Sequence, residues 1–261
     1  MSTGIKRRHP RTTEVKGKAM PHSSQVSQTK QLKVIAAIPC CNTEPSIAEV
    51  VSKAKKHVDQ VIVIDDGSHD ATAEAARAAG ALVISHDTNR GYGEAIKSCF
   101  EAAKTNAGDV LVILDGDGQH NPDEIPKLLT PILQGAADMT IGSRFITKER
   151  SMPRYRKFGI DVITLLWNFG SKTKISDAQS GFRAYSKKIF GTLPLSEQGM
   201  GVSIEILEKA RRRRAIIKEV PISCLYAPST LNPKAIKHGL GIALAVVRVR
   251  LKNYPKQEEQ K

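Results

Sequence analysis

The sequence lacks several features that would assign a function at once. It has four cysteines, and none of them has the spacing of a zinc or iron–sulfur site. No apolar run approaches the roughly 18 to 20 residues of a membrane span. The first residues also lack the apolar core of a secretory signal. We therefore expect a globular protein of a reducing compartment that does not cross a bilayer.

Aromatic residues are scarce, at 5%, although the net charge is +14. Proteins that bind single-stranded nucleic acids stack bases on aromatic side chains, so this scarcity weakens a nucleic-acid-binding function. Residues 1–31 contribute +6 of the charge and show no hydrophobic periodicity, which predicts a disordered basic tail. The remaining +8 indicates anionic partners, and phosphorylated substrates, a membrane surface and nucleic acid all stay open.

From residue 32 onward, short β-rich runs alternate with helical patterns. Strand and helix in turn predict an α/β fold, with a mostly parallel sheet covered by helices on both faces. The predicted strands are residues 33–39, 60–66, 81–87, 109–115, 138–144 and 216–222, and the predicted helices are 45–57, 70–79, 91–105 and 122–134. We expect one domain over residues 32–240, followed by a C-terminal amphipathic helix and polar tail over 241–261.

Polar segments follow the first, second and fourth predicted strands. They are Pro39 to Glu44, Asp65-Asp66-Gly67-Ser68 and Asp115-Gly116-Asp117-Gly118-Gln119. Ligands of open α/β sheets bind beyond the carboxyl ends of the strands, so these segments predict one shared site. Two carboxylates around a glycine can hold a divalent cation against a diphosphate, although Asp and Gly also form ordinary turns. A calcium loop is excluded because its fifth, sixth and twelfth positions hold Gln119, His120 and Pro126.

Three further segments carry weaker signals. Asn89-Arg90-Gly91-Tyr92-Gly93 places glycines at a predicted helix start, which suits a phosphate or base that approaches the backbone. The apolar residues of segment 158–169, bounded by Arg154, Arg156, Lys157 and Lys172, fit a buried core helix or a helix lying on a membrane. Arg211 to Arg214 fit a solvated helix end or a site for lipid head groups. The histidines at 57, 69, 86, 120 and 238 have no ligand spacing.

The sequence contains a series of short motifs in a fixed order. They are Ile38-Pro39, Asn42, Val63 to Ser68, Asp70, Thr72, Asn89 to Gly93, Asp115 to Gln119, Gly142-Ser143-Arg144 and Ser180-Gly181-Phe182-Arg183. Taken together, these motifs resemble the family 2 glycosyltransferases, and within them the dolichol-phosphate mannose synthase group of polyprenyl-phosphate glycosyltransferases. The resemblance covers residues 32–240. It implies a GT-A fold, a nucleotide-sugar donor such as GDP-mannose or UDP-glucose, a Mg²⁺ or Mn²⁺ ion, and a polyprenyl-phosphate acceptor.

The resemblance also implies roles for individual residues. The metal would be held by Asp115, Asp117 and Gln119, with Asp117 and Gln119 favoured as direct ligands. The nucleotide sugar would be bound by Pro39, Glu44, Asp65, Asp66, Gly91, Asp115 and Gly116. The acceptor phosphate would be gathered by Arg144, Arg156, Ser180 and Arg183, since the guanidinium fork matches phosphate oxygens. Asp117 and Arg144 would act in catalysis, and Asp177 would orient the acceptor unless it is a helix-entry or ion-pair residue.

These roles imply an inverting, metal-dependent transfer of a hexose, mannose before glucose, to a polyprenyl or dolichyl phosphate. The enzyme would be peripheral on the cytoplasmic face of a membrane, and a membrane-anchored partner subunit is compatible with this. An alternative is a hydroxyl acceptor such as a saccharide, which would need a base, and Asp177 is the candidate. A basic nucleic-acid-binding protein is the alternative from another class. One departure from the family pattern, Cys41-Asn42-Thr43-Glu44, leaves the contacts near the ribose open.

Overall fold

The computed structural model describes residues 31–146 and 173–225, together with residues 1, 152, 154–169 and 171. The predicted C-terminal helix and tail (241–261) lie outside the described residues, as does the predicted N-terminal tail apart from its two end residues. All the described helices and strands belong to the compact unit that begins at Leu32.

Seven strands form one sheet within the described residues. They are β1 (Val34–Cys40), β2 (Gln60–Asp65), β3 (Leu82–Ser85), β4 (Val110–Ile113), β5 (Met139–Ser143), β6 (Arg183–Ser186) and β7 (Ile217–Pro221). The helices are α1 (Glu44–Ala54), α2 (Thr72–Ala78), α3 (Tyr92–Thr105), α4 (Ile125–Leu133, after a 3₁₀ turn at Pro122–Glu124), α5 (Arg154–Asn168), α6 (Lys187–Phe190) and α7 (Val202–Arg212). The strand order is β3-β2-β1-β4-β6-β5-β7. The predicted α/β class is confirmed.

Strand β6 runs against the direction of the rest of the sheet. It pairs antiparallel with both β4 and β5, while the other pairings are parallel. The sequence did not predict β6, which has only four residues, or the short helix α6 that follows it. Because of this reversal, the start of β6 lies at the edge where the other six strands end.

Both faces of the sheet are buried, which explains why the strands are continuous apolar runs rather than alternating ones. On one face, Ile35, Ile62 and Leu111 pack with residues of α3, α5 and α7. On the other face, Val63 and Val112 pack with residues of α1, α2 and α4. The predicted arrangement of helices on both faces is therefore confirmed.

Helix α5 has one apolar side in the core and another apolar side that is exposed. The two alternatives predicted for this segment, a buried core helix and a helix lying on a membrane, are therefore compatible with each other. Ile163 and Trp167 are buried in the core. Phe158, Leu165 and Phe169 are exposed by 71%, 69% and 78%, and their spacing of seven and four residues places them on one helix face. No helix among the described residues has the length and apolar character needed to span a membrane.

The start of α3 is covered by the loop of residues 196–198. Glu205 in α7 holds this loop, because its carboxylate accepts hydrogen bonds from Ser196 N (2.9 Å) and Glu197 N (2.9 Å). The carbonyl oxygen of Gln198 accepts from Gly93 N at 2.8 Å. A Cβ atom at residue 93 would lie only 2.3 Å from the carbonyl oxygen of Glu197. Glycine is required here by the close approach of two backbones.

We predict that Gly93→Ala lowers the free energy of unfolding by about 1–3 kcal/mol, because the loop must shift to make room for the methyl group. The matched control is Gly159→Ala in α5, where an added Cβ meets nothing within 4 Å. Alanine favours a helix over glycine by up to about 1 kcal/mol, so this variant should be at least as stable as the parent. Urea unfolding of both variants tests this. Equal stability of the two variants would contradict the prediction.

Candidate active site

Loops from six strands converge at one edge of the sheet. β1, β2, β3, β4, β5 and β7 all end there, and β6 begins there. The edge therefore brings together the three polar segments that follow β1, β2 and β4. Ser46 Oγ donates to the carbonyl oxygen of Gly116 at 2.7 Å, which ties the start of α1 directly to the Asp-Gly-Asp segment.

The loops after β1 and β2 are joined by hydrogen bonds. The Glu44 carboxylate accepts from Ala71 N at 3.2 Å, while Glu44 N donates to Asp70 Oδ2 at 3.2 Å. Thr43 N donates to the Thr72 hydroxyl at 2.8 Å. Glu44, predicted to contact the nucleoside, thus also holds the first turn of α2. Pro39 lies buried near the end of β1, opposite Ile64 of β2.

Asp65 and Asp66 differ in what they face. Asp66 is only 4% exposed, and its carboxylate accepts from Arg90 N (2.9 Å) and Gly91 N (2.8 Å) and bonds His86 Nδ1 (2.6 Å). Asp66 therefore supports the loop that leads to α3. Asp65 instead lines a surface cavity of about 270 Å³ beside α2, together with residues 67–70, 73, 74, 77 and 85–87.

The Asp115 carboxylate is the most perturbed acid of the site. Burial raises its pKa to about 6, against the opposing effects of Arg144, a hydrogen bond from Tyr92 and Arg183. The Tyr92 hydroxyl donates to Asp115 Oδ1 at 3.4 Å. A Cβ atom at Gly181 would lie 2.6 Å from Asp115 Oδ2, so only glycine lets the chain before β6 pass this carboxylate. The Asp-Gly-Asp and Ser-Gly-Phe-Arg motifs are therefore in contact.

His120 lies beneath the same loop and is held neutral. Burial lowers its pKa to about 4, and the nearby Arg144 lowers it further in the same direction. Asp115 N donates a hydrogen bond to His120 Nδ1 at 3.4 Å, which fixes that nitrogen as an acceptor. Its ring also packs against Phe182 at a centroid distance of 5.3 Å. His120 thus shapes the loop without adding a positive charge.

Gly116 and Asp117 complete the acidic segment. A Cβ atom at Gly116 would lie 2.8 Å from Cys40 Cβ, so this glycine packs closely on β1. Asp117 is exposed, and its Oδ1 accepts from Gln119 N at 3.0 Å. Desolvation by the surrounding loop raises the pKa of Asp117, and the neighbouring Asp115 carboxylate raises it further. Two carboxylates whose ionised forms are disfavoured create a place where a cation is favoured.

The donor set fits a hard divalent cation. Asp115, Asp117 and Gln119 offer oxygen atoms only, as Mg²⁺ and Mn²⁺ prefer. Within the part of the chain that the structure describes, no three His, Cys, Asp or Glu side chains cluster closely enough to hold a metal alone.

Arg144 and Asp177 form a bidentate ion pair at the end of β5. Arg144 Nε donates to Asp177 Oδ2 at 2.7 Å, and Arg144 Nη2 donates to Asp177 Oδ1 at 2.8 Å. The Asp177 side chain is fully buried, and that of Arg144 is 13% exposed. The sequence had left an ion-pair role for Asp177 open, and the structure shows that pair.

Ser180 and Arg183 lie below the surface of the site. Arg183 is 2% exposed and donates to the carbonyl oxygens of Ser203 (3.0 Å) and Ala178 (2.8 Å). Ser180 is fully buried, and its hydroxyl accepts from Phe182 N at 3.3 Å. Both were predicted to gather the acceptor phosphate, but the contacts observed are internal. Arg156 belongs to α5, and its side chain lies outside the described residues.

Comparison with known proteins identifies the family. Residues 35–193 match the family model described as "Glycosyl transferase family 2". The chain belongs to glycosyl transferase family 2.

This glycosyltransferase is similar to characterised relatives and to a solved structure. It is 31% identical to the dolichol-phosphate mannosyltransferase of Pyrococcus furiosus, over 74% of this chain and 56% of that one. It is 29% identical to the UDP-N-acetylglucosamine–dolichyl-phosphate N-acetylglucosaminyltransferase of Methanococcus voltae, over 72% and 84%. It also shares its fold with glucosyl-3-phosphoglycerate synthase of Mycobacterium tuberculosis, solved with Mn²⁺, UDP and glucosyl-3-phosphoglycerate, at a TM-score of 0.66 and 22% identity over 85% and 79%. The predicted GT-A fold is confirmed.

Sequence reasoning missed four side chains of this glycosyltransferase site. Tyr92 contacts Asp115, His86 bonds Asp66, His120 accepts from Asp115 N, and Glu219 binds the turn before β6. His86 follows β3 directly, and His120 lies in the loop after β4. The position of these two histidines after strand ends could therefore have indicated that they lie at the site. The spacing between histidines, which sequence reasoning used, carries no such information.

We predict that Asp115→Asn stabilises the metal-free glycosyltransferase above pH 6. Because the pKa of Asp115 is about 6 when folded and about 3.9 when unfolded, ionisation weakens the fold as pH rises between these values. With allowance for partial solvent screening, the variant should gain about 1–3 kcal/mol at pH 8 and nothing below about pH 4. Urea unfolding in chelator at both pH values measures this.

The control is Asp123→Asn, which should show the opposite sign. A hydrogen bond from His57 lowers the pKa of Asp123, so its ionised form stabilises the fold, and the variant should lose stability at pH 8. A pH-independent effect of Asp115→Asn would show that the burial of this carboxylate does not control stability.

Proposed function

We propose that this enzyme transfers a hexose, with mannose favoured over glucose, from a nucleotide sugar to a polyprenyl phosphate, with the help of Mg²⁺ or Mn²⁺. The observation that carries this proposal is the pair of destabilised carboxylates, Asp115 and Asp117, beside the ion-paired Arg144 at one edge of the sheet. The two relatives named for transfer to dolichyl phosphate support the acceptor class.

The donor would lie across the loops after β1, β2 and β4. The nucleoside would occupy the part of the edge near Pro39, Glu44 and Asp65, where hydrogen bonds between loops keep the backbone fixed. The diphosphate would reach Asp117 and Gln119, whose oxygens, with Asp115, would hold the cation. When bound there, the cation would stabilise the negative charge that develops on the departing diphosphate.

The acceptor would be drawn to Arg144, whose planar guanidinium suits phosphate oxygens. A phosphate monoester has its second pKa near ~6, so at neutral pH much of it is already a dianion and attacks without a base. The pairing of Asp177 supports this acceptor. A hydroxyl acceptor would need a base, and Asp177 is fully buried with both oxygens bound to Arg144. We therefore assign Asp177 to orienting Arg144, and Arg183 to supporting Asp115 from below.

We expect direct attack opposite the leaving diphosphate, because the donor and acceptor residues meet at one edge and the acceptor is itself a nucleophile. Such attack inverts the anomeric centre. An α-linked donor should therefore give a β-linked lipid sugar, and analysis of the product by NMR would show it. An α-linked product would contradict the mechanism.

Donor and cation can be tested in one panel. We predict that Asp117→Ala lowers metal-dependent turnover at least about 100-fold, because the charge on the leaving group loses its counter-ion. Calorimetric titration of GDP-mannose, UDP-glucose and UDP-N-acetylglucosamine, each with Mn²⁺ and with chelator, identifies the donor. Asp123→Ala removes an exposed carboxylate bound to His57 and should retain turnover. Equal donor affinity with and without cation would contradict a metal-bound diphosphate.

The exposed face of α5 supports a peripheral position on a membrane, and we propose that the enzyme lies on the cytoplasmic side. Phe158, Leu165 and Phe169 form an apolar stripe, and the same segment carries Arg154, Arg156 and Lys157 in its sequence. Apolar side chains flanked by cations bind bilayers that contain anionic lipids. Because the chain leaves β5 and re-enters β6 at the site edge, α5 is connected at both ends to the edge where a lipid acceptor must arrive.

We predict that replacing Phe158, Leu165 and Phe169 together by Gln reduces binding to anionic liposomes at least about 10-fold, because the buried apolar area is lost. The matched control is a triple Gln variant of Leu82, Leu133 and Ile216, which are exposed apolar residues of other elements. Liposome co-sedimentation measures both. If the control variant loses as much binding as the α5 variant, the stripe is not the membrane contact.

A further inference from the structure

Glu219 in β7 binds a single short turn with both of its carboxylate oxygens. Oε2 accepts from Ser176 N at 2.7 Å, and Oε1 accepts from Asp177 N at 3.0 Å and from Ser176 Oγ at 3.1 Å. Glu219 pairs with Ile141 in the register of β5 and β7. Its carboxylate is therefore fixed by the sheet, and three charge-assisted hydrogen bonds fix the turn to it.

The same turn carries the carboxylate that holds Arg144. Asp177 binds Nε and Nη2 of Arg144 and also accepts from Arg144 N at 3.3 Å. A second connection runs through hydroxyl groups, since Ser176 Oγ lies 2.6 Å from Ser143 Oγ, next to Arg144 in the chain. Any shift of the turn would move both anchors of the arginine together.

We propose that Glu219 is a positioning residue that sets the orientation of the Arg144 guanidinium through Asp177. The inference rests on the proposed function, in which Arg144 meets the reacting phosphates. The bonds of Glu219 go to Ser176 and Asp177, so it acts on Arg144 through this turn. A displacement of about 1 Å in a reacting group can lower turnover about 100-fold, so a residue that fixes such a group can affect turnover without touching the substrate.

The chain offers a matched control with nearly the same hydrogen-bond pattern. Glu205 accepts from Ser196 N, Ser196 Oγ and Glu197 N, as Glu219 accepts from Ser176 and Asp177. The loop that Glu205 holds packs on the start of α3 and contains no partner of Arg144 among its described contacts. Glu205→Gln therefore removes an equivalent support without touching the proposed connection.

The experiment compares Glu219→Gln, Glu205→Gln and Ser176→Ala in the full chain, each alone and combined with Arg144→Lys. The first readout is the ¹⁵N–¹H resonance of Arg144 Nε, assigned by its absence in Arg144→Lys, which needs no substrate. The second is kcat and KM for donor and acceptor. Thermal unfolding of each variant shows whether it folds, and Ser176→Ala keeps the two backbone bonds to Glu219 if Glu219→Gln does not fold.

We expect Glu219→Gln to shift the Arg144 Nε resonance and to lower kcat about 10-fold with little change in donor KM, because a displacement well under 1 Å costs less than the full effect of misplacement. Ser176→Ala should shift the resonance less, and Glu205→Gln should leave it in place. In the Arg144→Lys background, Glu219→Gln should change kcat less than about twofold, because the two residues act as one unit.

An unmoved resonance in Glu219→Gln, or fully additive losses of kcat with Arg144→Lys, would overturn the positioning role. A shifted resonance with unchanged turnover in Glu219→Gln would also overturn the positioning role, whereas unchanged turnover in Arg144→Lys would overturn the role of Arg144 in the proposed function. The two failures are thus distinguishable.

Discussion

The half-buried carboxylate of Asp115, whose side chain is 31% exposed, is the constraint around which the site is organised. Burial disfavours its ionised form, and Arg144, Tyr92 and Arg183 offset this only in part, since the pKa remains raised. An ionised carboxylate with a raised pKa favours a cation beside it. When no cation is bound, the same carboxylate lowers the free energy of unfolding. The neutral His120 adds no positive charge beside Asp115, and the absence of a side chain at Gly181 lets the chain before β6 pass close to this carboxylate.

The two sides of the site are held in place by different means. Near the ends of β1 and β2, backbone groups of one loop bond side chains of the next, as in Thr43 with Thr72 and Gly91 with Asp66. Near the end of β5, the Glu219 carboxylate bonds the backbone of the turn that carries Asp177, and the Asp177 carboxylate bonds Arg144. In both arrangements the side chains and loops are already ordered before a ligand binds. Binding therefore costs less conformational entropy, and the side chains are held in a defined position.

Much of the fold and the location of the site follow from the sequence, because strong local patterns determine them. The Val and Ile runs of β1, β2 and β4 identify buried parallel strands, and the polar segments behind them meet at one edge as expected. Strand β6 was not predicted, because Arg183-Ala184-Tyr185-Ser186 is short and begins with a charged residue.

The orientation of individual side chains could not be read from the sequence. Asp65 and Asp66 are neighbours, yet one lines a cavity and the other is tied to His86 and the loop before α3. Arg183 belongs to a motif typical of the family, but the direction of β6 turns its guanidinium into the core. Such outcomes depend on strand register and on distant carbonyl groups, which no local pattern reports.

The reversed direction of β6 determines where the connection that contains α5 leaves and rejoins the sheet. Because β5 and β6 are antiparallel neighbours, β5 ends and β6 begins at the same edge of the sheet. The segment that connects them contains α5 and lies outside the sheet. The outward face of α5 can change without altering the register of any strand, because its core contacts come from inward residues such as Ile163 and Trp167. One side of the fold can thereby vary while the polar segments behind β1, β2 and β4 keep their positions.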